Sequence, residues 1–412
     1  MGDLLSRLTA SDRRVLDRLC DQGDAWVVGG WVRDSLQGLE PGEMDIATNL
    51  RPEVVTELFD KTIPVGAAFG TILVLDEESE KSWEVTTLRS DGTYGDGRRP
   101  DEVEFGDDII EDLARRDFTI NAMALDPRSG DLIDEFGGME DLVAGVVRAV
   151  GNAHERISED GLRIMRAFRF LDAGKLGSRS LDSELQAAIG DNLHMLSKVS
   201  SERKWAELSR IMQGTGRTEV IELMVNSNIL IQVIPETIFG GASGFERFSG
   251  IPAVDLAILC RNDNRSGTKL AGHLKNILRL SNDETSTISF LHELQIADLN
   301  HEVESFRRFN SALSDSMKQE VVAYFGKLGE DFAQAASEVE PLIAGNKPLV
   351  GGEDLMQITG LEAGVRLGRL KGWLHRRQIE DNLGSVDEVL SLIETVDWQS
   401  EEPDTWPALA WP

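Results

Sequence analysis

Hydrophobic and polar positions follow two rhythms along this chain, and the change between them divides it. From residue 25 to about residue 124 the apolar residues come in short, β-branched runs or in alternation, as buried and half-buried strands require. Residues 25–28 (AWVV) are the first such run. They end at Gly29-Gly30, after which residues 31–36 have the spacing of the first turns of a helix. Residues 43–46 (EMDI) predict a second strand, with Glu43 and Asp45 on one face and Met44 and Ile46 towards the core. Residues 51–60 return to helical spacing, with Val54, Val55, Leu58 and Phe59 on the buried side. Residues 64–76 and 81–90 read as two neighbouring strands of a hairpin, and residues 1–24 as one or two capping helices.

From about residue 152 the rhythm becomes almost wholly helical. Glu159 and Asp160 precede a run in which Arg163, Arg166 and Arg169 interleave with Leu162, Met165 and Phe168. Steps of three on a 3.6-residue helix drift by about 60° each, so the arginines wind obliquely across its surface. That pattern suits either an extended anionic ligand or a basic solvated face. Ser200 or Ser201 is placed to cap the next helix, with Glu202 close behind. Beyond residue 214 helical pieces alternate with Gly/Ser loops; residues 345–382 predict a small helix–loop–helix unit. Residues 398–412 read as a loosely held tail whose Trp and Pro residues dock on a neighbouring helix.

Composition narrows the class. A chain of 412 residues implies two to four domains, and 41% hydrophobic residues suffice for ordinary cores. No apolar run is long enough for a transmembrane helix, and the charged N-terminal stretch is unlike a signal peptide. With only Cys20 and Cys260, a disulfide framework is not expected and a reducing cytoplasm is. No His/Cys cluster has zinc spacing, and no histidine is followed by Asp, which removes support for an HD-type phosphohydrolase. The formal net charge of −30 repels polyanions at long range, so a nucleic-acid partner requires local clustering of the basic residues.

The candidate chemistry lies in residues 27–49. Two glycines between a strand and a helix allow backbone amides to approach a phosphate, with the positive end of the helix dipole behind them. Arg33 adds a fixed fork for phosphate oxygens. Two carboxylates, Glu43 and Asp45, on one strand face repel each other unless a divalent cation joins them, and such hard oxygen sites suit Mg²⁺. Phosphate cradle and carboxylate pair support one another, because nucleotidyl transfer needs both. Glu84 is a candidate third carboxylate from an adjacent strand, or else an edge-strand charge. Residues 90–105 (SDGTYGDGRRPDEVEF) read as a long flexible loop. In residues 111–126, Asn121 interrupts an apolar stretch, where a buried polar group needs a partner or a ligand.

Together these motifs resemble the class II CCA-adding tRNA nucleotidyltransferases and their poly(A) polymerase relatives, over nearly the whole chain. The resemblance is carried by residues 29–34 (GGWVRD) with 43–48 (EMDIAT), 84–87 (EVTT), 115–122 (RRDFTINA), 159–163 (EDGLR), 201–203 (SER) with Glu207 and Leu208, and 352–368. It implies an α+β fold: a polymerase-β-like nucleotidyltransferase head with a mixed sheet (1–146), then an all-helical neck (147–214), body (215–346) and tail (347–412). It implies Mg²⁺ on Glu43 and Asp45, with Glu84 as a further catalytic carboxylate. Gly30 and Arg33 would hold the triphosphate; Arg116, Asp160, Arg163, Arg166 and Arg169 would contact the nucleotide, Asp160 and Arg163 reading its base. Gly29, Asp117, Asn121 and Glu159 join the nucleotide-binding set. The implied substrates are CTP, ATP and the tRNA 3′ end, its acceptor arm held by body and tail. The family usually has Asp where this chain has Glu43. A poly(A) polymerase, an A-only enzyme and a non-catalytic RNA-binding homologue are the alternatives; the loop over residues 89–100 speaks against CC-only addition.

Overall fold

The computed structural model describes residues 4–66, 70–76, 81–90, 104–240 and 248–412. The chain divides into two units, Met1–Pro235 and Glu236–Pro412.

Among the described residues, the first unit is built on a seven-stranded sheet of β1 (Ala25–Val28), β2 (Asp45–Thr48), β3 (Thr62–Gly66), β4 (Thr71–Leu75), β5 (Ser82–Thr87) and, after the separate short pair β6 (Arg89–Ser90) and β7 (Glu104–Phe105), β8 (Ala124–Leu125) and β9 (Leu132–Ile133). The large sheet has the order β3-β4-β5-β2-β1-β8-β9. Its β2–β5 pair is parallel, and its other pairs are antiparallel. Its helices are α1 (Ala10–Cys20), α2 (Gly30–Leu36), α3 (Pro52–Leu58), α4 (Ile109–Ala114), α5 (Gly138–Ala144), α6 (Ala153–Glu159), α7 (Leu162–Leu171), α8 (Ser183–Asp191), α9 (Ser201–Gln213), α10 (Arg217–Asn226) and α11 (Ile229–Val233). Val28, Ala47, Leu88, Leu113, Ala122 and Ala124 form one buried cluster directly beneath the carboxylate strand. Burying these side chains holds β1 and β2 in register, so a side chain on their open face inherits a fixed position.

The second unit contains, among the described residues, α12 (Pro252–Leu259), α13 (Gly267–Leu278), α14 (Asn282–Glu293), α15 (Val303–Ala312), α16 (Asp315–Phe325), α17 (Lys327–Ser337), α18 (Gly352–Thr359), α19 (Val365–Glu380) and α20 (Val386–Ser391). α18 and α19 are the predicted helix–loop–helix. Their core of Leu355, Leu367, Leu370 and Leu374 is closed by Trp406, 2% exposed.

Several expectations change. Strand β2 starts at Asp45, and Glu43 lies in the bend before it, exposed, so the two do not share a strand face. Met44 and Ile46 are buried as expected. In α3, Val54 faces solvent whereas Val55 and Phe59 are buried, because a helix of seven residues turns only one narrow face inward. The single strand expected across residues 64–76 is divided between β3 and β4, which pair with each other. A parallel pair, β10 (Val146–Val147) with β11 (Ser180–Leu181), interrupts the helical run. Ser200 occupies the N-cap of α9 without a side-chain capping bond. The C-terminal tail is not loose: Trp411 is 3% exposed and packs edge-on to Phe309 at 5.1 Å. The expected loop over residues 90–105 lies mostly outside the described residues.

Candidate active site

Strand β1 delivers the chain to Gly29, whose φ of +71° is a conformation L side chains rarely adopt. A Cβ there would stand 3.2 Å from Arg116 Nη1 and 3.5 Å from Asp45 Oδ2, so only glycine keeps the arginine and the carboxylate beside the backbone turn. Arg33, on the first turns of α2, is fixed from three sides. It pairs with Asp34 at 2.8 Å, donates from Nη1 to Asn121 Oδ1 at 2.7 Å, and lies 5.2 Å from the Phe170 ring centre. Asn121, the polar interruption in its apolar segment, also donates to Asp117 Oδ1 at 3.2 Å. It is 7% exposed, and these bonds are what let it be buried.

The sheet register builds the acidic wall. Antiparallel pairing puts Val28 opposite Asp45, and parallel pairing puts Asp45 opposite Glu84. Because β5 lies between β4 and β2, the edge-strand reading of Glu84 is excluded. Asp45 is open on its sheet face, yet enough protein surrounds the carboxyl to matter. Burial and then the charge of Glu84 push its pKa up; Arg116 opposes this, and Glu43 adds to it. Among the described residues no group of three His, Cys, Asp or Glu side chains converges tightly enough to hold a metal unaided. Asp45 and Glu84 nevertheless fit a hard divalent cation: they are adjacent oxygen donors whose mutual repulsion such an ion would relieve. Glu43 acts on Asp45 only through space and does not line the cavity.

That cavity, about 580 Å³, collects nearly every residue singled out above: Gly29, Gly30, Arg33, Asp45, Glu84, Arg116, Asp117, Asn121, Asp160, Arg163, Arg166 and Arg169. Glu43 and Glu159 are the two left outside its lining.

The rest of the cavity lining is rich in arginine, and each guanidinium of α7 is held by an acid. On α7 the side chains of Arg163, Arg166 and Arg169 are only 12%, 31% and 26% exposed, so the basic solvated face is not what forms. Arg163 is gripped by Glu159 and donates to the carbonyls of Arg156 (2.7 Å) and Arg115 (3.1 Å). Arg166 donates from Nε to Asp117 Oδ2 at 2.6 Å. Burial raises the pKa of Asp117, but the charge of Arg166 and hydrogen bonds from Arg166 and Asn121 together hold it below the usual carboxylate range. Arg169 pairs with Glu207 at 3.2 Å and lies 4.3 Å from the Phe170 ring centre. Glu159 and Asp160 lie near a helix start, as expected: Glu159 ends α6, and Asp160 sits in the junction before α7, where its Oδ1 accepts from Leu162 N–H at 3.0 Å. That junction needs Gly161, because a Cβ there would lie 2.4 Å from the Met195 carbonyl oxygen.

Sequence reading assigned no role to three participants. Arg203 binds both oxygens of Asp160, at 3.3 and 2.5 Å, so the acid is paired with an α9 arginine rather than with Arg163. Glu207, 1% exposed, anchors Arg166 and Arg169 from the apolar face of α9. Its signal was present: it stands beside Leu208 and four residues before Ile211, where an acid needs a cation. Asp112, equally buried, holds Arg115 and Arg116 from three and four residues upstream.

Comparison with known proteins agrees with this geometry. Residues 25–148 match the poly A polymerase head domain, and residues 180–239 the probable RNA and SrmB-binding site of polymerase A. The CCA-adding enzyme of Enterococcus faecalis is 33% identical over 377 residues, covering 89% of this chain and 90% of that one. The Lactococcus lactis subsp. lactis enzyme is also 33% identical, over 386 residues, covering 90% and 92%. The Bacillus stearothermophilus CCA-adding enzyme in complex with CTP superimposes with a TM-score of 0.69 at 25% identity, over 93% of this chain and 96% of that one. The Thermotoga maritima enzyme complexed with tRNA shares the fold, with a TM-score of 0.66 at 20% identity over 95% and 97%. Identity of this degree over both chains' lengths places the protein in the CCA-adding enzyme family of nucleotidyltransferases.

Proposed function

We propose that this chain adds CCA to the 3′ end of tRNA from CTP and ATP, without a nucleic-acid template. The observation that carries the reading is the pairing of Asp45 with Glu84 in one cavity with Arg33, Arg116, Arg163, Arg166 and Arg169. The RNA 3′-hydroxyl attacks the α-phosphorus in line; an O–P bond forms, the α–β phosphoanhydride breaks, and pyrophosphate leaves. Mg²⁺ held by Asp45 and Glu84, with Glu43 reaching in from its bend, would help activate that hydroxyl and neutralise the leaving group. The protein supplies position and charge. Gly29 and Gly30 admit the triphosphate to the backbone, and Arg33 and Arg116 face its oxygens. No side chain serves as a covalent nucleophile.

Base choice falls to the α6–α7 junction. Asp160 spends three of its roughly four acceptor sites on Leu162 N–H and Arg203, which leaves one for an exocyclic amine hydrogen of cytosine or adenine. Arg163 spends three of its five N–H donors on Glu159 and two carbonyls, which leaves donors for a ring nitrogen or carbonyl. Uracil and guanine would set a carbonyl against Asp160. In this reading residues 1–146 are the catalytic head, 147–214 the neck that reads the base, 215–346 the body, and 347–412 the tail that holds the acceptor arm. A cytoplasmic site of action accords with two free cysteines and with described helices too short or too polar to cross a membrane.

The test is incubation with tRNA transcripts ending before CCA, after C, or after CC, with each nucleotide separately. Ordered addition of C, C and A is expected. Untemplated runs of A would make the chain a poly(A) polymerase; addition of A only after CC would make it an A-adding enzyme; no addition at all would leave it an RNA-binding homologue.

A further inference from the structure

A second cavity, of about 390 Å³, adjoins the nucleotide cleft and shares Arg33, Arg169 and Phe170 with it. Arg179 and Arg210 complete its basic lining. The two acids that line it are already engaged. Asp34 holds Arg33, and Asp172 accepts from the backbone N–H groups of Gly174 (2.7 Å) and Gly216 (2.8 Å) and from Thr215 Oγ1 (3.1 Å).

Arg179 differs from the arginines of α7 in having no acid as a hydrogen-bond partner. Its donors reach only neutral acceptors, the carbonyl oxygens of Phe170 (3.0 Å) and Asp172 (3.5 Å) and Oε1 of Gln37 (2.9 Å), and its buried Nε has no acceptor. Burial first, and then the charge of Arg33, hold the Arg179 pKa below its ordinary value, although the charges of Asp34 and Asp172 oppose the shift. Arg210 is 62% exposed and comes no closer than 3.8 Å to Glu207. In a chain of net charge −30, positive charge therefore collects here beyond what the surrounding acids neutralise. Guanidinium groups around a cavity are complementary to a phosphate, which accepts paired N–H donors from each.

We propose that this cavity binds a phosphate group during the reaction, either a backbone phosphate of the RNA close to its reacting 3′ end or the departing pyrophosphate. The proposal rests on the nucleotidyl-transfer reading above. Its position on the far side of Arg33 and Arg169 lets one phosphate be held while another occupies the cleft.

The experiment uses the full chain with Arg210→Gln and Arg179→Gln. Arg210 is exposed, so its variant folds; a thermal melt verifies the Arg179 variant. For an RNA phosphate, either variant should raise the tRNA KM roughly threefold to tenfold. The slope of log affinity against log salt should also become shallower by about one phosphate. For pyrophosphate, its product inhibition should weaken by a similar factor while the tRNA KM stands still. Both results support the site and tell its occupant. If tRNA KM, salt slope and pyrophosphate inhibition are all unchanged in both variants, the proposal is overturned. An equal rise in the CTP KM alone also overturns it, since the cavity would then be an annex of the nucleotide cleft. Equilibrium binding of a tRNA transcript and of pyrophosphate to the same proteins requires no turnover. An inactive wild type would thus refute the proposed function, while these binding measurements still decide the cavity.

Discussion

Asp45, the proposed metal ligand, keeps its charge at a cost to stability. Its folded-state pKa is raised by burial and by Glu84, so the protonated form favours folding. That contribution is present below the unfolded carboxylate pKa and is lost as pH rises through the raised value. At neutral pH, without a divalent cation, Asp45→Asn is therefore expected to raise Tm in EDTA, and the advantage should shrink as pH falls. Nucleotide addition by the same variant should drop by at least about a hundredfold, roughly 2.7 kcal/mol of barrier. Tm measurements with and without Mg²⁺, beside a turnover assay, check both halves. A variant that lost activity but gained no stability would show that the repulsion with Glu84 is relieved by something else. The proposed base choice also belongs to this scale. Asp160→Ala should lose selectivity against UTP and GTP more than it loses affinity for triphosphate, because an acceptor facing a carbonyl costs about 1–3 kcal/mol. Steady-state incorporation of all four nucleotides reads this directly. Equal slowing of all four would reduce Asp160 to a structural partner of Arg203 and the Leu162 amide.

At the scale of elements, α7 is held by acids that come from elsewhere. Asp117 lies in the segment after α4 and Glu207 on α9, and each meets arginines of α7. Asp117 is 10% exposed, so Asp117→Asn leaves Arg166 only the longer contact to Glu207, at 3.6 Å, as a charge partner and should cost about 2–3 kcal/mol. Since the folded-state pKa of Asp117 is lowered, its stabilisation is present above the unfolded carboxylate pKa and is lost as pH falls through the depressed value. Denaturant midpoints of wild type and variant should accordingly converge in acid; a gap that persisted there would point to packing rather than charge. The C-terminal element admits a separate measurement. Trp406 closes the core of α18 and α19, and Trp406→Ala should cost about 3 kcal/mol or more through the cavity left behind. A loss under 1 kcal/mol, read from urea unfolding, would mean that the tail adheres without supporting the helices.

The whole molecule carries net charge −30 while its nucleotide cleft is lined with arginine. Dispersed acids repel one another and repel RNA, whereas the clustered bases attract it. Added KCl screens both within about 8–10 Å. It should therefore raise the thermal stability of the free protein while weakening its affinity for tRNA, with a slope set by the few phosphates neutralised. Melting curves and binding isotherms over one salt series test this. An affinity indifferent to salt would exclude RNA as the partner.

What the sequence determined by itself was local. The strand rhythm located β1 and the helical rhythm α2 and α7, because periodic burial is written into consecutive residues. The glycine pair, the carboxylates and the arginine ladder were legible for a similar reason: each is a short string whose chemistry depends on residue type and spacing. Sheet order was not legible. Only the tertiary structure set β5 parallel to β2, deciding between Glu84 as a third carboxylate on an adjacent strand and Glu84 as an edge charge, and only the bend before β2 took Glu43 off the strand. The partners of the arginines were equally hidden. Glu207 and Arg203 lie some forty residues from the groups they hold, and no periodicity reports a contact made across such a distance. Docking of the tail tryptophans was legible, but how firmly the tail is held was not, since a polar, proline-rich stretch reads as loose until the surface that receives its indoles has formed.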